Sequence, residues 1–588
     1  MTQKLDNNLE KLVFEYDTLA DNDRERLQKE IKDELKFDDL NMAYFLALYK
    51  KYKRDDNDKK QVFIHEDNLP GKDRVGIEIA WPTAIAPREL MKELPYRQYS
   101  DLLNEIDPKE AKNCAVWIKK MQAGTGSSIV RNSYLSQKLH KPLEEVKIGA
   151  KGTDLFIETQ DGKLVSLAEI QLMQSIHDAK EGIYGGIALH DIVSNETEKP
   201  FDAIWDKPCP YENGKTYSQI VNETDDIIRF KKSFQYHMPT IDEEGEISFN
   251  RVAPGGHGLF GVDAIRAAYI DELRPDFPGK ILISSIGNGE DLGSSPDPVM
   301  VAWMAKEKIP IAMVTTTKTN IDLKGGQISI VKNEDEKVFV TIIEKAQAEE
   351  SNQIRLFYDL GLGSDDHEAF FNTNMALINY TVLTPIIKNL IDEIGEDAFM
   401  EVIAPDLIQN VKKQVDTDGK ERKYMQLEGA MGSVILNLDR YWRTKYGKPL
   451  VHILNVHAVD RTEFFSPIKT GFDFFMQLAS DRFSLESKTF RLVNHTPGKL
   501  PLVDLKDSWY KDVLNVMQAF HGVAVKDLIE LSIDGIVELQ GIELSGSVKI
   551  ENKSEKPIKL HELLAEKGIS KLENMTVIVG IDGLLSVS

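Results

Sequence analysis

Short apolar runs that do not alternate with polar residues are the feature of this sequence that most restricts its fold. They lie at residues 115–118, 281–283, 309–314 and 451–456, and helical patterns separate them. A strand without alternation is covered on both faces, and strands interleaved with helices form a largely parallel sheet. The pattern therefore predicts an α/β fold in which ligands bind beyond the carboxyl ends of the strands.

A loop rich in glycine and hydroxyl side chains follows the first of these runs. It reads Ala123-Gly124-Thr125-Gly126-Ser127-Ser128. Glycine lets a backbone turn tightly and approach a ligand closely, so that its amides can point at phosphate oxygens. An ordinary turn is the alternative for a loop of this kind taken alone, and the Gly-Lys-Ser/Thr of a P-loop does not follow it.

Length, charge and cysteine content limit the class of protein. A chain of 588 residues is too long for one compact core, so we expect roughly two to four structural units. Neither a secretory signal nor an apolar run of membrane-spanning length is visible, and two cysteines fit a reducing, cytoplasmic compartment. A net charge of -23 argues against nucleic-acid or anionic-membrane partners, because binding phosphate backbones needs a basic face.

Six short motifs follow one another along the chain. They are residues 124–129, Gly256-His257-Gly258, Lys324-Gly325-Gly326, residues 371–374, residues 426–432, and Pro467-Ile468-Lys469-Thr470 followed by Asp473. In this order they resemble the UTP-dependent sugar-1-phosphate uridylyltransferases, the family of UDP-glucose and UDP-N-acetylhexosamine pyrophosphorylases. The resemblance covers roughly residues 110–490. The histidine between Gly256 and Gly258 is closer to the UDP-glucose branch, since asparagine stands there in the amino-sugar branch.

The resemblance implies a Rossmann-like nucleotidyltransferase core with a mixed, mainly parallel sheet, N-terminal helices before it and a small left-handed β-helix after it. We predict divisions at residues 1–108, 109–485 and 486–588. Residues 531–550 support the last unit independently, because apolar residues recur mostly every two or three positions and glycines every five or six. Such spacing is typical of a β-solenoid, and a plain β-meander is the alternative.

The resemblance also implies an activity, most simply that of a UTP–glucose-1-phosphate uridylyltransferase. The sugar phosphate would attack the α-phosphorus of UTP, giving UDP-glucose and pyrophosphate. Because the substrate supplies its own nucleophile, the protein has to position two anions and spread the developing negative charge. Mg²⁺ is the expected cofactor, and UTP and a sugar 1-phosphate are the expected partners. The alternatives are a UDP-N-acetylhexosamine or broad UDP-sugar pyrophosphorylase, a non-catalytic UDP-sugar-binding homologue, and a homo-oligomer assembled through the C-terminal unit.

Matches to the family motifs assign a role to individual residues. The expected phosphate-facing cations are Lys469 and Lys151, the expected nucleotide contacts are Gly124, Gly126, Gly256, His257 and Asn195, the expected sugar contacts are Glu344, Asn372 and Asn374, and the expected metal ligand is Asp291.

Three positions depart from the family pattern. Ala123 replaces a glycine of the first loop, Asp154 replaces a lysine, and Gly287 stands where the family has its metal-binding aspartate. An aspartate at position 154 would repel pyrophosphate, so Lys151 would have to supply the positive charge there. The departure at position 287 shifts the expected metal contact to Asp291. These changes keep the non-catalytic alternative open.

Overall fold

The computed structural model describes most of the chain. The described residues are 2–55, 78–80, 95–126, 128–159, 162–224, 228–271, 273–319, 321–322, 325–332, 338–345, 349, 354–359, 370–415, 420–457, 461–498, 500–554 and 556–588. Lys324 of the third motif and Ser127 of the first loop lie outside the described residues, and so does the side chain of Glu344.

The strands are numbered in chain order. They are β1 Glu78–Ala80, β2 Tyr96–Gln98, β3 Cys114–Met121, β4 Phe156–Glu158, β5 Leu164–Ser166, β6 Gly186–Val193, β7 Ile228–Phe234, β8 His237–Ile241, β9 Ile247–Pro254, β10 Ile281–Asn288, β11 Ile311–Thr317, β12 Gly326–Lys332, β13 Val338–Glu344, β14 Phe370–Asn379, β15 Leu407–Val415, β16 Glu421–Gly429, β17 Val451–Val456, β18 Phe483–Leu485, β19 Leu492–Asn494, β20 Leu502–Leu505, β21 Leu528–Asp534, β22 Val537–Glu538, β23 Glu543–Asn552, β24 Ile558–Lys559, β25 Lys571–Val579 and β26 Leu585–Val587.

The α-helices are numbered in the same way. They are α1 Thr2–Phe14, α2 Asp21–Leu35, α3 Asp39–Asp55, α4 Tyr99–Glu105, α5 Asn132–Leu139, α6 Lys151–Asp154, α7 Leu167–Lys180, α8 Glu198–Trp205, α9 Tyr217–Asn222, α10 Gly258–Ile270, α11 Pro298–Glu307, α12 Ile354–Asp359, α13 Tyr380–Ile394, α14 Glu396–Ile403, α15 Met431–Tyr446, α16 Arg461–Phe464, α17 Gly471–Leu478, α18 Val513–Ala519 and α19 Leu560–Glu566. Short 3₁₀ helices lie at Tyr16–Thr18, Pro108–Asn113, Leu143–Glu145 and Ser508–Lys511. Within the described residues, every helix is too short or too polar to cross a lipid bilayer.

The largest sheet within the described residues has 11 strands and is mixed but mainly parallel. Its central path runs β2-β17-β11-β14-β10-β3-β6-β7. Along that path β14 is antiparallel to both of its neighbours, and the other pairs are parallel. The largely parallel α/β sheet predicted from the apolar runs is therefore confirmed, and so is the mixed character that the family resemblance implies.

The burial of strand β3 explains why apolar and polar residues do not alternate along it. All eight of its residues are buried. Trp117 belongs to a core cluster on one face of the sheet, which also contains Leu9 and Phe45 of the N-terminal helices. Val116 and Ile118 belong to a second cluster on the other face. Because both faces are covered, no position of this strand favours a solvated polar side chain.

The N-terminal helices α1 to α3 contribute apolar residues to the first of these clusters. They also contact a loop that carries one of the motifs. The hydroxyl of buried Tyr44 in α3 donates a hydrogen bond to the carbonyl of Gly255 at 2.6 Å. The N-terminal helices therefore support the segment that leads into Gly256-His257-Gly258.

The C-terminal strands pair mostly in parallel. Strands β20, β21, β23 and β25 are each parallel to the next, β22 is parallel to β24, and β26 closes the sheet in the antiparallel sense. Gly535, Gly541 and Gly546 have positive φ angles of 85°, 71° and 64°, which suits turns between short strands. A meander would pair neighbouring strands antiparallel, so that alternative is wrong for β20 to β25.

Candidate functional site

A cleft of about 260 Å³ opens beyond the carboxyl ends of β3 and β10. The predicted phosphate and nucleotide residues that line it are Gly124, Gly126, Lys151, Gly256 and His257. Glu428 of the fifth motif also lines it, and further lining residues, which the sequence motifs did not predict, are Gln122, Gln235, Phe260, Asn288 and Glu290. Three loops that are far apart in the sequence therefore meet in one cleft, at the edge where an α/β sheet binds ligands.

The first loop contributes backbone rather than side chains. Gly126 has a φ of 62°, and a Cβ built there would lie 2.4 Å from Cε of Lys151. A Cβ at Gly124 would meet no heavy atom within 4 Å. Glycine is thus required at position 126 by both conformation and space, whereas position 124 is open to the cleft. The methyl group of Ala123, one of the departures, is buried.

Lys151 connects the first loop to two other segments. Its Nζ lies 3.2 Å from Oε1 of Glu290 and donates a hydrogen bond of 3.0 Å to the carbonyl of Ile468. Ile468 directly precedes Lys469, so the two predicted cations lie beside the same cleft. Two ammonium groups near one cleft favour the binding of an anionic ligand.

Lys469 stands at the start of helix α17 and is fixed there by Asp473. The amides of Lys469 and Thr470 donate to Oδ2 of Asp473 at 3.0 Å and 2.7 Å, and the Thr470 hydroxyl accepts from the Asp473 amide. The Lys469 Nζ lies 6.0 Å and 5.6 Å from the ring centroids of Phe371 and Phe465. The spacing Lys-Thr-x-x-Asp is therefore a helix-capping box that orients the exposed lysine.

The second and fifth motifs pack against each other. Gly256 has a φ of 77°, and a Cβ there would lie 2.9 Å from Cβ of Glu428. The amide of Gly429 donates to the carbonyl of Gly255 at 3.1 Å. His257 lines the cleft. Desolvation by surrounding protein atoms lowers its pKa, the charges of Lys151 and Lys469 lower it further, and the charge of Glu290 acts in the opposite direction.

Gln235 is a cleft residue that motif matching missed. It is 4% exposed, and its Nε2 donates a hydrogen bond of 2.7 Å to the carbonyl of Gly256. Asn195, the predicted base contact, is instead exposed in the turn after β6 and is absent from the described lining of the cleft. Gln235 directly follows β7. The rule that ligands bind after parallel strands could have indicated it.

Two of the predicted sugar contacts, Asn372 and Asn374, lie at a bulge in β14. The pairing of β14 with β11 shifts register at this point, and Asn374 has a φ of 60°. The Asn372 Nδ2 donates to Oδ1 of Asn374 at 2.9 Å. The preceding residue, Phe371, is the ring near Lys469. The structure thus places the two asparagines on the same side of the molecule as Lys469. A bulge changes the direction of side chains, and bulges are common next to active sites.

Two carboxylates follow β10, and they differ in orientation. Glu290 lines the cleft, while Asp291 is fully buried and its Oδ1 accepts from the amides of Gly293 and Ser466 at 2.9 Å and 2.8 Å. Burial raises the pKa of Asp291 to about 6, against the opposing effect of these amides and of Lys120. Its buried Oδ2 has no hydrogen-bond partner among the described residues.

The carboxylates available here fit Mg²⁺ better than a metal ion that is coordinated by protein side chains alone. Mg²⁺ is usually bound through one or two carboxylates together with substrate phosphates and water. The unpartnered Oδ2 of Asp291 and the carboxylate of Glu290 suit such a site, and the described residues contain no cluster of three or more metal-ligating side chains. A Cβ at Gly287 would lie 2.6 Å from the Ser294 side chain, so an aspartate there would need a local rearrangement.

Asp154 does not face the cleft as an uncompensated charge. Its side chain is buried, and its Oδ2 accepts a hydrogen bond of 3.1 Å from Nε of buried Arg131. The expectation that an aspartate at position 154 would repel pyrophosphate is therefore wrong, because the adjacent guanidinium offsets its charge.

Comparisons with known proteins show which family and which fold the chain resembles. A family model described as UTP–glucose-1-phosphate uridylyltransferase matches residues 214–544. A protein of that name from Saccharomyces cerevisiae is 27% identical over 411 residues, covering 68% of this chain and 71% of the yeast protein. A second, from Dictyostelium discoideum, is 25% identical over 338 residues, which are 57% of this chain and 58% of that protein. The fold matches a UDP-glucose pyrophosphorylase from Leishmania major with a TM-score of 0.62 at 20% identity, covering 94% of this chain and 98% of that one.

Proposed function

Because the chain belongs to the UTP–glucose-1-phosphate uridylyltransferase family, we propose that it forms UDP-glucose and pyrophosphate from UTP and glucose 1-phosphate in the cleft beyond β3 and β10. The observation that carries this proposal is the meeting of Gly124, Gly126, Gly256 and His257 in one cleft with Lys151. Lys151 in turn is hydrogen-bonded to the residue that precedes Lys469. A cleft with a glycine-rich floor and two ammonium groups suits a triphosphate beside a sugar phosphate.

The nucleotide would be held mainly by backbone. Gly124 and Gly126 would offer amides to its phosphates, and Gly256 and His257 would contact the uridine. Gln235 would read the base, because its Nε2 is engaged with the Gly256 carbonyl and its Oε1 remains an acceptor for the N3–H of uracil. This assignment moves base recognition from Asn195, which the turn after β6 would bring to UTP only after rearrangement.

Lys469 and Lys151 would stabilise the negative charge that develops as the sugar phosphate attacks and pyrophosphate leaves. A point-charge ammonium on a flexible stem suits a phosphate group whose geometry changes during the reaction. When UTP binds, phosphate oxygens would replace Glu290 as the partner of Lys151. Neither lysine has to move a proton, since the attacking phosphate oxygen is already ionised.

Asn372 and Asn374 would bind sugar hydroxyls, since an amide both donates and accepts. Glu344, at the end of β13, is proposed to do the same with its carboxylate. The mutual hydrogen bond of the two asparagines fixes their side chains before the sugar arrives. Such preorganisation lowers the entropy cost of binding.

Glu290 and Asp291 would hold Mg²⁺ together with phosphate oxygens of UTP. The ion, when bound, would neutralise phosphate charge and favour the approach of the two anionic substrates. The role of this chain is to hold the two carboxylates in place: Glu290 lines the cleft, and the amides of Gly293 and Ser466 fix Oδ1 of Asp291, which is buried beside it.

The finer fold assignment is also proposed here. We propose that residues 486–588 wind as a left-handed β-helix and that the chain divides at 1–108, 109–485 and 486–588. The parallel pairing of β20, β21, β23 and β25 supports the last unit, and most residues of the apolar cluster around these strands lie beyond residue 486. A cytoplasmic location is proposed from the free, buried thiols of Cys114 and Cys209, which suit a reducing compartment.

The test is turnover by the pure protein with UTP, Mg²⁺ and a panel of sugar 1-phosphates, measured as pyrophosphate release. We expect glucose 1-phosphate to give the highest kcat/KM. A higher value with N-acetylglucosamine 1-phosphate would favour the amino-sugar alternative, and similar values with several sugars would indicate a broad enzyme. Binding of UDP-glucose by calorimetry without turnover on any sugar would establish the non-catalytic alternative.

A further inference from the structure

Arg131 is a charged side chain that no motif explains and that the structure buries completely. It is 0% exposed and lies between the first loop and the Lys151 segment in the sequence. Burying a guanidinium is costly unless hydrogen bonds and a counter-charge compensate it. Its contacts should therefore show what the charge is for.

The guanidinium of Arg131 donates hydrogen bonds to a set of backbone carbonyls around the cleft. These carbonyls belong to Gly126 at 2.9 Å, Ile129 at 3.0 Å, Gly149 at 3.3 Å and, in a short contact, Thr125. Two of them lie within the first loop, and Gly149 leads into Lys151. One side chain therefore connects the two phosphate-facing segments.

Asp154 completes the same arrangement from the other side. Its Oδ2 accepts from Nε of Arg131 at 3.1 Å and from the amide of Gly149 at 3.0 Å. Burial raises the pKa of this carboxyl, while Arg131 and the Gly149 amide lower it. The pair is nearly neutral as a unit, so it positions backbone without adding charge to the phosphate site.

A carbonyl that points toward Arg131 fixes the direction of the N–H group in the same peptide. In a planar trans peptide the C=O and the following N–H point in opposite directions. The peptide between Ile129 and Val130 illustrates this, since its carbonyl accepts from Arg131 and its N–H donates to the Lys511 carbonyl at 2.9 Å. By the same geometry, the inward carbonyls of Thr125 and Gly149 turn the amides of Gly126 and Ala150 away from Arg131, and both residues line the cleft.

We infer that Arg131, balanced by Asp154, is the positioning residue of the nucleotide site, aiming the amides of Gly126 and Ala150 at the phosphates of UTP. The inference rests on the proposed function and deepens it, since it says how this chain holds its phosphate loops where Asp154 replaces a family lysine. The guanidinium fork is essential to it, because a lysine in the same place cannot bond several divergent carbonyls at once.

The experiment compares Arg131→Lys with Arg482→Lys. Arg482 is the matched control, since it is 2% exposed and bonds the carbonyls of Lys526 and Leu528, both at 3.1 Å, in the C-terminal unit. Steady-state kinetics would be measured for both substrates, UTP binding by calorimetry, and Tm by thermal unfolding. We expect Arg131→Lys to raise the KM and Kd for UTP roughly 10- to 100-fold and to leave the KM for glucose 1-phosphate within about twofold. Arg482→Lys should lower Tm and leave both KM values unchanged.

Several results would overturn the inference. They are an unchanged UTP affinity in Arg131→Lys, an equal loss for both substrates, and a fall in Tm without a UTP effect, as in the control. If Arg131→Lys does not fold, the double variant Arg131→Met/Asp154→Leu replaces the buried pair by apolar groups, which is often neutral for stability. That variant should show the same weakening of UTP binding, and normal UTP binding would overturn the inference. Absence of turnover in the unmodified protein would contradict the proposed function, whereas the UTP-binding comparison would still decide this one.

Discussion

The proposed nucleotide side and the proposed sugar side of this site are built from different parts of the chain. Around Gly124 and Gly126 the contact surface is backbone, and buried Arg131 fixes its direction. Around Asn372 and Asn374 it is side chains, held by a bulge in β14. A backbone surface tolerates a buried methyl group such as that of Ala123, but not a Cβ at Gly126, where it would lie 2.4 Å from Lys151. A side-chain surface should respond instead to the loss of single polar groups.

The largest effect should come from the cation that lies between the two sides. Lys469→Ala should lower kcat roughly 10²-fold or more, the scale for losing a preorganised contact to developing charge. The measurement is pyrophosphate release at saturating UTP and glucose 1-phosphate. Lys488→Ala is the control, because that lysine is 71% exposed and pairs with Glu181 at the surface. Near-normal turnover of Lys469→Ala would remove this lysine from the mechanism.

A methyl group added to the first loop should affect only the nucleotide side. In Gly126→Ala the backbone φ of 62° is strained for an alanine, and the new Cβ would lie 2.4 Å from the Lys151 side chain. The KM for UTP should therefore rise about tenfold or more. The KM for glucose 1-phosphate should not change. Gly182→Ala, in the turn after α7, is the matched control, since its φ of 63° imposes the same strain on an alanine while no heavy atom lies within 4 Å of its Cβ. Equal effects of the two substitutions would contradict a backbone cradle centred on Gly126.

Removing one amide should affect only the sugar side. Asn374→Ala should raise the KM for glucose 1-phosphate about tenfold, the scale of one or two hydrogen bonds, with the KM for UTP unchanged. Steady-state kinetics with each substrate varied in turn would measure this. A selective rise in the KM for UTP would instead place the β14 bulge on the nucleotide side and would break the comparison.

Substitution of the proposed metal ligands should have an intermediate effect, which depends on the Mg²⁺ concentration. Glu290→Gln and Asp291→Asn should each raise the Mg²⁺ concentration needed for half-maximal activity several-fold, because each removes a carboxylate charge from the expected donor set. Titration with MgCl₂ at fixed UTP would measure it. Asp297→Asn is the control, since Asp297 caps helix α11 through its bond to the Met300 amide, and an asparagine can do the same. A normal Mg²⁺ requirement in both variants would contradict the proposed ligands.

The smallest effect concerns stability and comes from a histidine in β6, the neighbour of β3 in the large sheet. Burial lowers the pKa of His190 to about 3, with Lys119 acting in the same direction. Because the unfolded chain binds a proton near pH 6.5 and the folded chain does not, His190 should destabilise the fold progressively as pH falls from 6.5 toward 3. In His190→Gln the loss of Tm between pH 7 and pH 5 should be smaller than in the unmodified protein. An identical loss would show that His190 does not contribute.

Much of the site was predictable because its motifs are local. Gly126 and Gly256 need positive φ angles, and the Lys469 segment is a capping box, so each is specified within a few residues of sequence. Gln235 and Arg131 were not predictable in this way, because their partners are carbonyls of residues that the fold brings to them. A backbone carbonyl has no sequence signature. The expected repulsion at Asp154 was wrong for the same reason, since its partner, Arg131, is recognised only by contact.

By itself the sequence determined the class of fold and the order of the functional segments. Apolar runs without alternation need cover on both faces, and this is a property of the strand itself. Only the tertiary structure decided which of those segments meet, how Lys151 reaches the residue before Lys469, and that a buried arginine neutralises Asp154. The physical reason is range: conformational preference acts over a few neighbouring residues, whereas burial, charge compensation and the direction of an amide depend on atoms that folding brings together.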